Sequence, residues 1–238
     1  MVIAEASARY TLIDLDVFKV RLRSFERIDL KNYPYTFDEF WKWKIEVETR
    51  WCHILDDGHR METYNRLCNI LPLWQTYRGV SEVRWREVLL NSLENMSEAY
   101  NQIRKYSLLE FSKVPEDALR LIWHELGRVK EKDGKRNDFG YYSIVAICKP
   151  LIFLWGQTVA FDSRVRAHFP RKYNVPKRNR WSFEDWKEVM EKIENDLKRE
   201  PRVIKFFKEV SREKYGTDLY VPYGQFLDLY YWVWFDKV

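Results

Sequence analysis

Apolar and polar positions along this chain alternate mostly at helical spacing. Ser182, with Asp185 three residues on, opens an amphipathic run to Lys198; Ser-x-x-acid is the spacing at which a side chain and a backbone cap each other. Pro201 opens another run through Phe206, Phe207 and Val210, and Gly216 ends it. A last helix is predicted over Tyr223 to Phe235, dense in aromatics at Tyr230, Tyr231, Trp232, Trp234 and Phe235. Earlier in the chain, Thr36, with Glu39 at the capping-box position, opens a predicted helix through Phe40, Trp41, Trp43, Ile45, Val47 and Trp51 to about Leu55. Asp56-Asp57-Gly58 stops it.

A second helix is predicted from Glu62 to Leu71, ended by Pro72. Ser81 caps a third, with Val83, Trp85, Val88, Leu89, Leu93 and Met96 near helical spacing; Arg84 sits three residues on, so the capping box is absent. Pro115 begins a run whose stripe is Ala118, Leu119, Ile122, Trp123 and Leu126. Tyr141 to Trp155 is the most apolar stretch and predicts a buried helix that Pro150 should kink or bound. Residues 128 to 140 read as a charged loop, and Pro170 to Arg180 as a basic, proline-containing one. Tyr10 to Leu22 alternates in part and reads as extended or mixed. No internal repeat of fixed period is present. The expected fold is all-α, a helical bundle with a short extended N-terminal segment.

Composition narrows the class. The chain has 238 residues, enough for one large domain or two small lobes; 46% are hydrophobic and 17% aromatic. Glycine and proline, 8 each, are too few for collagen-like, low-complexity or turn-rich all-β architectures. Lys+Arg number 41 and Asp+Glu 36, a mild excess of +5 in which position matters more than total. Cys52, Cys68 and Cys148 are odd in number and widely spaced, which argues for free thiols in a reducing compartment rather than a disulfide framework. Met1 to Ser7 lacks a signal-peptide pattern, and no stretch approaches the roughly 18 apolar residues of a membrane span. A soluble, cytoplasmic protein is expected. Abundant Lys, Glu and Arg with scarce Gln would suit a thermophile.

The chemistry concentrates between Gly140 and His168. A buried helix, a short turn and the apolar link Val159-Ala160-Phe161 lead to Asp162 at a helix start, where backbone N–H donors and the helix dipole favour the carboxylate. An ionised aspartate beside a cleft can stabilise developing positive charge or orient a water. An ordinary N-cap explains the same residue.

The run Trp155-Gly156-Gln157-Thr158-Val159-Ala160-Phe161-Asp162 resembles the helix–loop–Asp segment of the helix-hairpin-helix DNA glycosylases, the superfamily of endonuclease III and the 8-oxoguanine glycosylases. Asp162-Ser163-Arg164 is similar to the Asp-Ser-Arg of archaeal 8-oxoguanine glycosylases. The resemblance covers residues 140 to 168. It implies a two-lobed helical bundle, with lobes at roughly 1–110 plus the C-terminal helix and at 111–215. It further implies double-stranded DNA with a flipped base as partner, Asp162 as catalytic carboxylate, and DNA repair as the activity. Where the family's hairpin reads Leu-Pro-Gly-x-Gly, this chain has Asp138-Phe139-Gly140-Tyr141-Tyr142 and matches only the first glycine. The family's nucleophilic lysine would fall near Ser143 or Ile144, so a water-using enzyme is the first reading. Lys149 is the lyase candidate, with a lysine snorkelling beside an apolar helix as the plain alternative.

From Ser163 to Phe183 there is no acidic residue, while Arg164, Arg166, Arg171, Lys172, Lys177, Arg178 and Arg180 supply candidate phosphate contacts. A solvated loop paired with the acidic run after it accounts for them equally. Trp155, Gln225, Asp228 and Trp232 are the candidate base-pocket residues, with a packed core as the competing account for the aromatics and surface exposure or capping for Gln225 and Asp228. His53 and His59 flank Asp56-Asp57-Gly58 beside Cys52; these types bind metals, but the spacing matches no standard zinc pattern and reads as a helix-ending turn. No metal or cofactor is expected. His124-Glu125 lacks the second histidine of HExxH, and no GxGxxG, Walker A or GxSxG occurs. A non-catalytic nucleic-acid-binding protein on the same scaffold is the alternative function, and a helical interaction protein the third.

Overall fold

The computed structural model describes residues 12–19, 33–50, 52–131 and 140–232. Besides the helical residues 15–19, ten α-helices lie within the described residues: α1 (Tyr33–Glu48), α2 (Arg60–Ile70), α3 (Glu82–Asn95), α4 (Ser97–Ile103), α5 (Glu116–Arg128), α6 (Ile144–Trp155), α7 (Ser163–His168), α8 (Phe183–Lys198), α9 (Pro201–Tyr215) and α10 (Tyr223–Trp232). Short 3-10 turns occupy Leu108–Lys113 and Arg171–Tyr173. The strands β1 (Tyr142–Ser143) and β2 (Arg180–Trp181) pair antiparallel, Tyr142 opposite Trp181. Among the described residues the protein is an all-α bundle with this one small ribbon.

The helix ends follow local chemistry. Ser182 Oγ accepts from Asp185 N while Asp185 Oδ2 accepts from Ser182 N, a complete capping box. Ser81 Oγ accepts from Arg84 N at 3.4 Å, and Gly216 closes α9 with positive φ. Every member of the α5 stripe, Ala118, Leu119, Ile122, Trp123 and Leu126, is buried. Around them α5 packs on α3, α4 and α6; α8 packs on the Leu108–Lys113 turn and α9; α1 packs on α6 and α9. The buried apolar residues form one contiguous cluster from Leu12 to Tyr231.

Four expectations are corrected. Within the predicted extended segment, residues 15–19 are helical: Asp14 Oδ1 accepts from Asp16 N and Val17 N, and Phe18 is buried against Phe206, Phe207 and Tyr230. Helix α1 starts at Tyr33 rather than after Thr36, because Pro34 in a first turn has no intrahelical N–H bond to lose. It ends at Glu48, short of Leu55, and Trp51 lies outside the described residues. Helix α6 runs continuously through Pro150, in a helix whose every residue but Val145 is buried and so is held by its neighbours. Most of the predicted 128–140 loop (132–139), together with Trp234 and Phe235, also lies outside the described residues.

Candidate functional site

Asp162 caps α7. Its Oδ1 accepts from Arg164 N at 2.9 Å and Val165 N at 3.0 Å, and no described residue donates to Oδ2. The approach to it is fixed from both ends. Gly156 (φ 74°) turns the chain out of α6, and its carbonyl accepts from Gly224 N and Gln225 N at the start of α10. Gln157 bridges further, its amide donating to Val221 O and its oxygen accepting from Leu108 N. Phe161 takes a positive φ of 49° with its ring against Phe169 and Trp181, so the link into Asp162 is held by aromatic packing.

Three other groups converge here. Asp228 on α10 is fully buried and its Oδ1 accepts from Ala160 N at 2.8 Å, two residues before Asp162. Lys149 on α6 is 9% exposed and its Nζ donates to the carbonyl of Trp74 at 2.5 Å. Burial pushes the Lys149 amine below the ordinary lysine range; the charges of Asp162 and Asp228 pull it back up, and Lys130 adds to the lowering. Trp232, at the end of α10, lies under the Arg164 guanidinium, 5.4 Å from ring centroid to Cζ. Helices α7 and α10 thus carry Asp162 and Asp228 into the field of one buried amine.

The other expected site residues are placed differently. Trp155 points away from this group: its Nε1 donates to Tyr106 O and its ring lies near Phe111. It lines a separate depression of about 260 Å³ with Trp41, Lys44, Arg104 and Tyr220. Gln225 is buried one turn from Asp228, and its Oε1 has no partner among the described residues. Of the basic set, Arg166 donates to the carbonyls of Lys177 and Arg178 and to Asn179, bracing the loop from inside. Lys172 pairs with Asp196, Arg178 with Asp185, and Arg180 with Glu131 and the Tyr141 carbonyl. Arg171 and Lys177 are exposed with no ion pair to a described residue, and Arg164 is exposed over Trp232. Gly140, at the matched hairpin position, has a φ of 62° and precedes β1.

Sequence reasoning missed the Trp74 carbonyl, because it reaches the site from an element remote in sequence. It also missed that Cys52, Asp56 and His59 bring one ligand atom each within 4.8 Å of one another. No helix among the described residues is long and apolar enough to cross a membrane. No family model, curated protein or solved structure matches the chain.

Proposed function

We propose that this protein is a DNA base glycosylase that hydrolyses an N-glycosidic bond with water. The observation that carries the reading is the setting of Asp162: one oxygen is held by two backbone N–H donors, and the other has no donor from a described residue. In this reading a base is flipped out of the duplex, exposing C1′. Asp162 stabilises the positive charge that builds on the sugar as the C1′–N bond breaks. Water adds its oxygen to C1′, its proton passes to the carboxylate, and the base leaves with the bonding electrons. The Lys149 amine has the lowered proton affinity that a nucleophile needs, but it is buried and spent on Trp74 O, which supports hydrolysis over a lyase step. Arg164, Arg171 and Lys177 would meet phosphates.

The second reading is a nucleic-acid-binding protein without chemistry. It is favoured by how fully capping α7 accounts for Asp162. Asp162→Asn separates the two, since asparagine caps as well as aspartate but carries no charge. Labelled duplexes bearing 8-oxoguanine, uracil or alkylated bases are incubated with protein and then treated with alkali to cut at abasic sites. Base release by the wild type, lost by at least a hundredfold in Asp162→Asn with binding unchanged, is the expected result. Binding without release on every lesion points to the second reading, and absence of DNA binding removes both.

A further inference from the structure

The turn between α1 and α2 gathers three different metal-ligand types. Asp56 organises it: Oδ2 accepts from His53 N at 3.2 Å, and Oδ1 accepts from His59 N at 3.0 Å. The same Oδ1 lies 2.8 Å from His59 Nδ1. Cys52 Sγ completes the group, with one ligand atom from each residue within 4.8 Å of the others. All three side chains are half-buried, so a cation can reach them, and the backbone N–H bonds already hold the Asp56 carboxylate in place. Among the described residues the Cys52 thiol donates only to Arg50 O, at 3.6 Å.

The geometry points to a divalent metal site, for which Zn²⁺ fits best, held by Cys52 Sγ, an Asp56 carboxylate oxygen and His59 Nδ1. Tetrahedral zinc with bonds of about 2.0–2.3 Å sets its ligand atoms about 3.3–3.7 Å apart. The His59–Asp56 pair is already within about half an ångström of that spacing, and the sulfur closes the rest by a small side-chain rotation. Mixed sulfur, nitrogen and oxygen ligands suit a borderline-soft ion; Mg²⁺ and Ca²⁺ prefer oxygen alone. Binding releases the Cys52 thiol proton to solvent. The thiolate and carboxylate then balance the two charges of the metal; the His59 hydrogen bond to Asp56 is given up, and the neutral imidazole carries its one N–H on Nε2 so that Nδ1 can ligate. Cys52 and His59 both line a depression of about 240 Å³ with Trp43, Glu46, Val47 and Arg50. The fourth coordination position opens into it and takes a water. Three protein ligands with an open position is the arrangement of a reactive or ligand-accepting centre rather than a closed structural one. The site is independent of the Asp162 reading and stands whether or not DNA is a substrate.

The test is titration of the chelator-stripped full chain with Co²⁺ under reducing conditions, read by absorption. The expected result is saturation at one equivalent, a near-ultraviolet thiolate-to-cobalt charge-transfer band, and its bleaching by Zn²⁺. Cys52→Ser should abolish that band, and His59→Ala should weaken Co²⁺ binding at least tenfold. Cys68→Ser, which removes a buried thiol elsewhere, should leave both intact. Circular dichroism checks that each variant is folded; Cys52 is half-buried, so its serine variant is the decisive one. A charge-transfer band that survives in Cys52→Ser, or no saturable one-equivalent binding in the wild type, overturns the proposal.

Discussion

Lys149 shows how a buried residue's surroundings set its chemistry. Its ammonium has left water for a nearly apolar helix and keeps one carbonyl and the fields of two aspartates. Desolvation outweighs those fields, so the amine binds its proton less tightly folded than unfolded. The folded state is therefore penalised while the unfolded chain holds that proton. The penalty is complete below the folded pKa and fades as pH rises through the unfolded value of about 10.4. Buried tyrosines such as Tyr173 and Tyr231, whose hydroxyls are pushed up, act oppositely above about pH 10, where the unfolded chain ionises first. Lys44 is lowered too, by burial, but is shared by wild type and variant. Urea unfolding from neutral pH to about 10 should show wild-type stability rising relative to Lys149→Met. Parallel curves would mean that Lys149 keeps its ordinary proton affinity in the fold.

At the scale of elements, the turn out of α6 tolerates little. Gly156 has a φ of 74°, and a methyl there would meet the Trp41 ring at 2.3 Å and Pro222 Cβ at 2.9 Å. Gly216 has the same φ with nothing within 4 Å. Gly216→Ala should cost only the left-handed strain, about 1 kcal/mol, whereas Gly156→Ala adds overpacking for a total of about 3 kcal/mol. Melting temperatures should then fall by about 3 °C and about 10 °C respectively; equal losses would show that Trp41 and Pro222 yield freely. Gly216, the Ser182–Asp185 box, the Asp162 cap and the α5 stripe were legible in sequence because each is decided within a few residues. Pro150 misled because its cost is local while the packing that holds α6 together is not. The Trp74 carbonyl at Lys149 was not legible, since the two lie 75 residues apart along the chain. Cys52, Asp56 and His59 were close in sequence, yet only the turn's geometry shows their ligand atoms meeting.

Charge on the whole molecule divides into cations spent on the fold and cations available to a partner. The seven basic residues between Arg164 and Arg180 look in sequence like one phosphate-binding strip. In the structure, Arg166 braces the loop while Lys172, Arg178 and Arg180 answer Asp196, Asp185 and Glu131. Breaking those contacts to reach phosphate would return part of the gain, so the strip offers three side chains: Arg164, Arg171 and Lys177. Each phosphate neutralised contributes about −0.9 to the slope of log K against log salt on duplex DNA, so three contribute about −2.7 and seven about −6. If this face binds DNA as proposed, substituting all three with alanine should make the salt dependence shallower by about 2.7, read by fluorescence anisotropy on a short duplex across a salt series. Substituting Lys172, Arg178 and Arg180 should instead loosen the loop and leave the slope nearly unchanged. The reverse pattern would mean that the ion pairs open on binding and that the phosphate contacts are made by the residues now paired to α8 and Glu131.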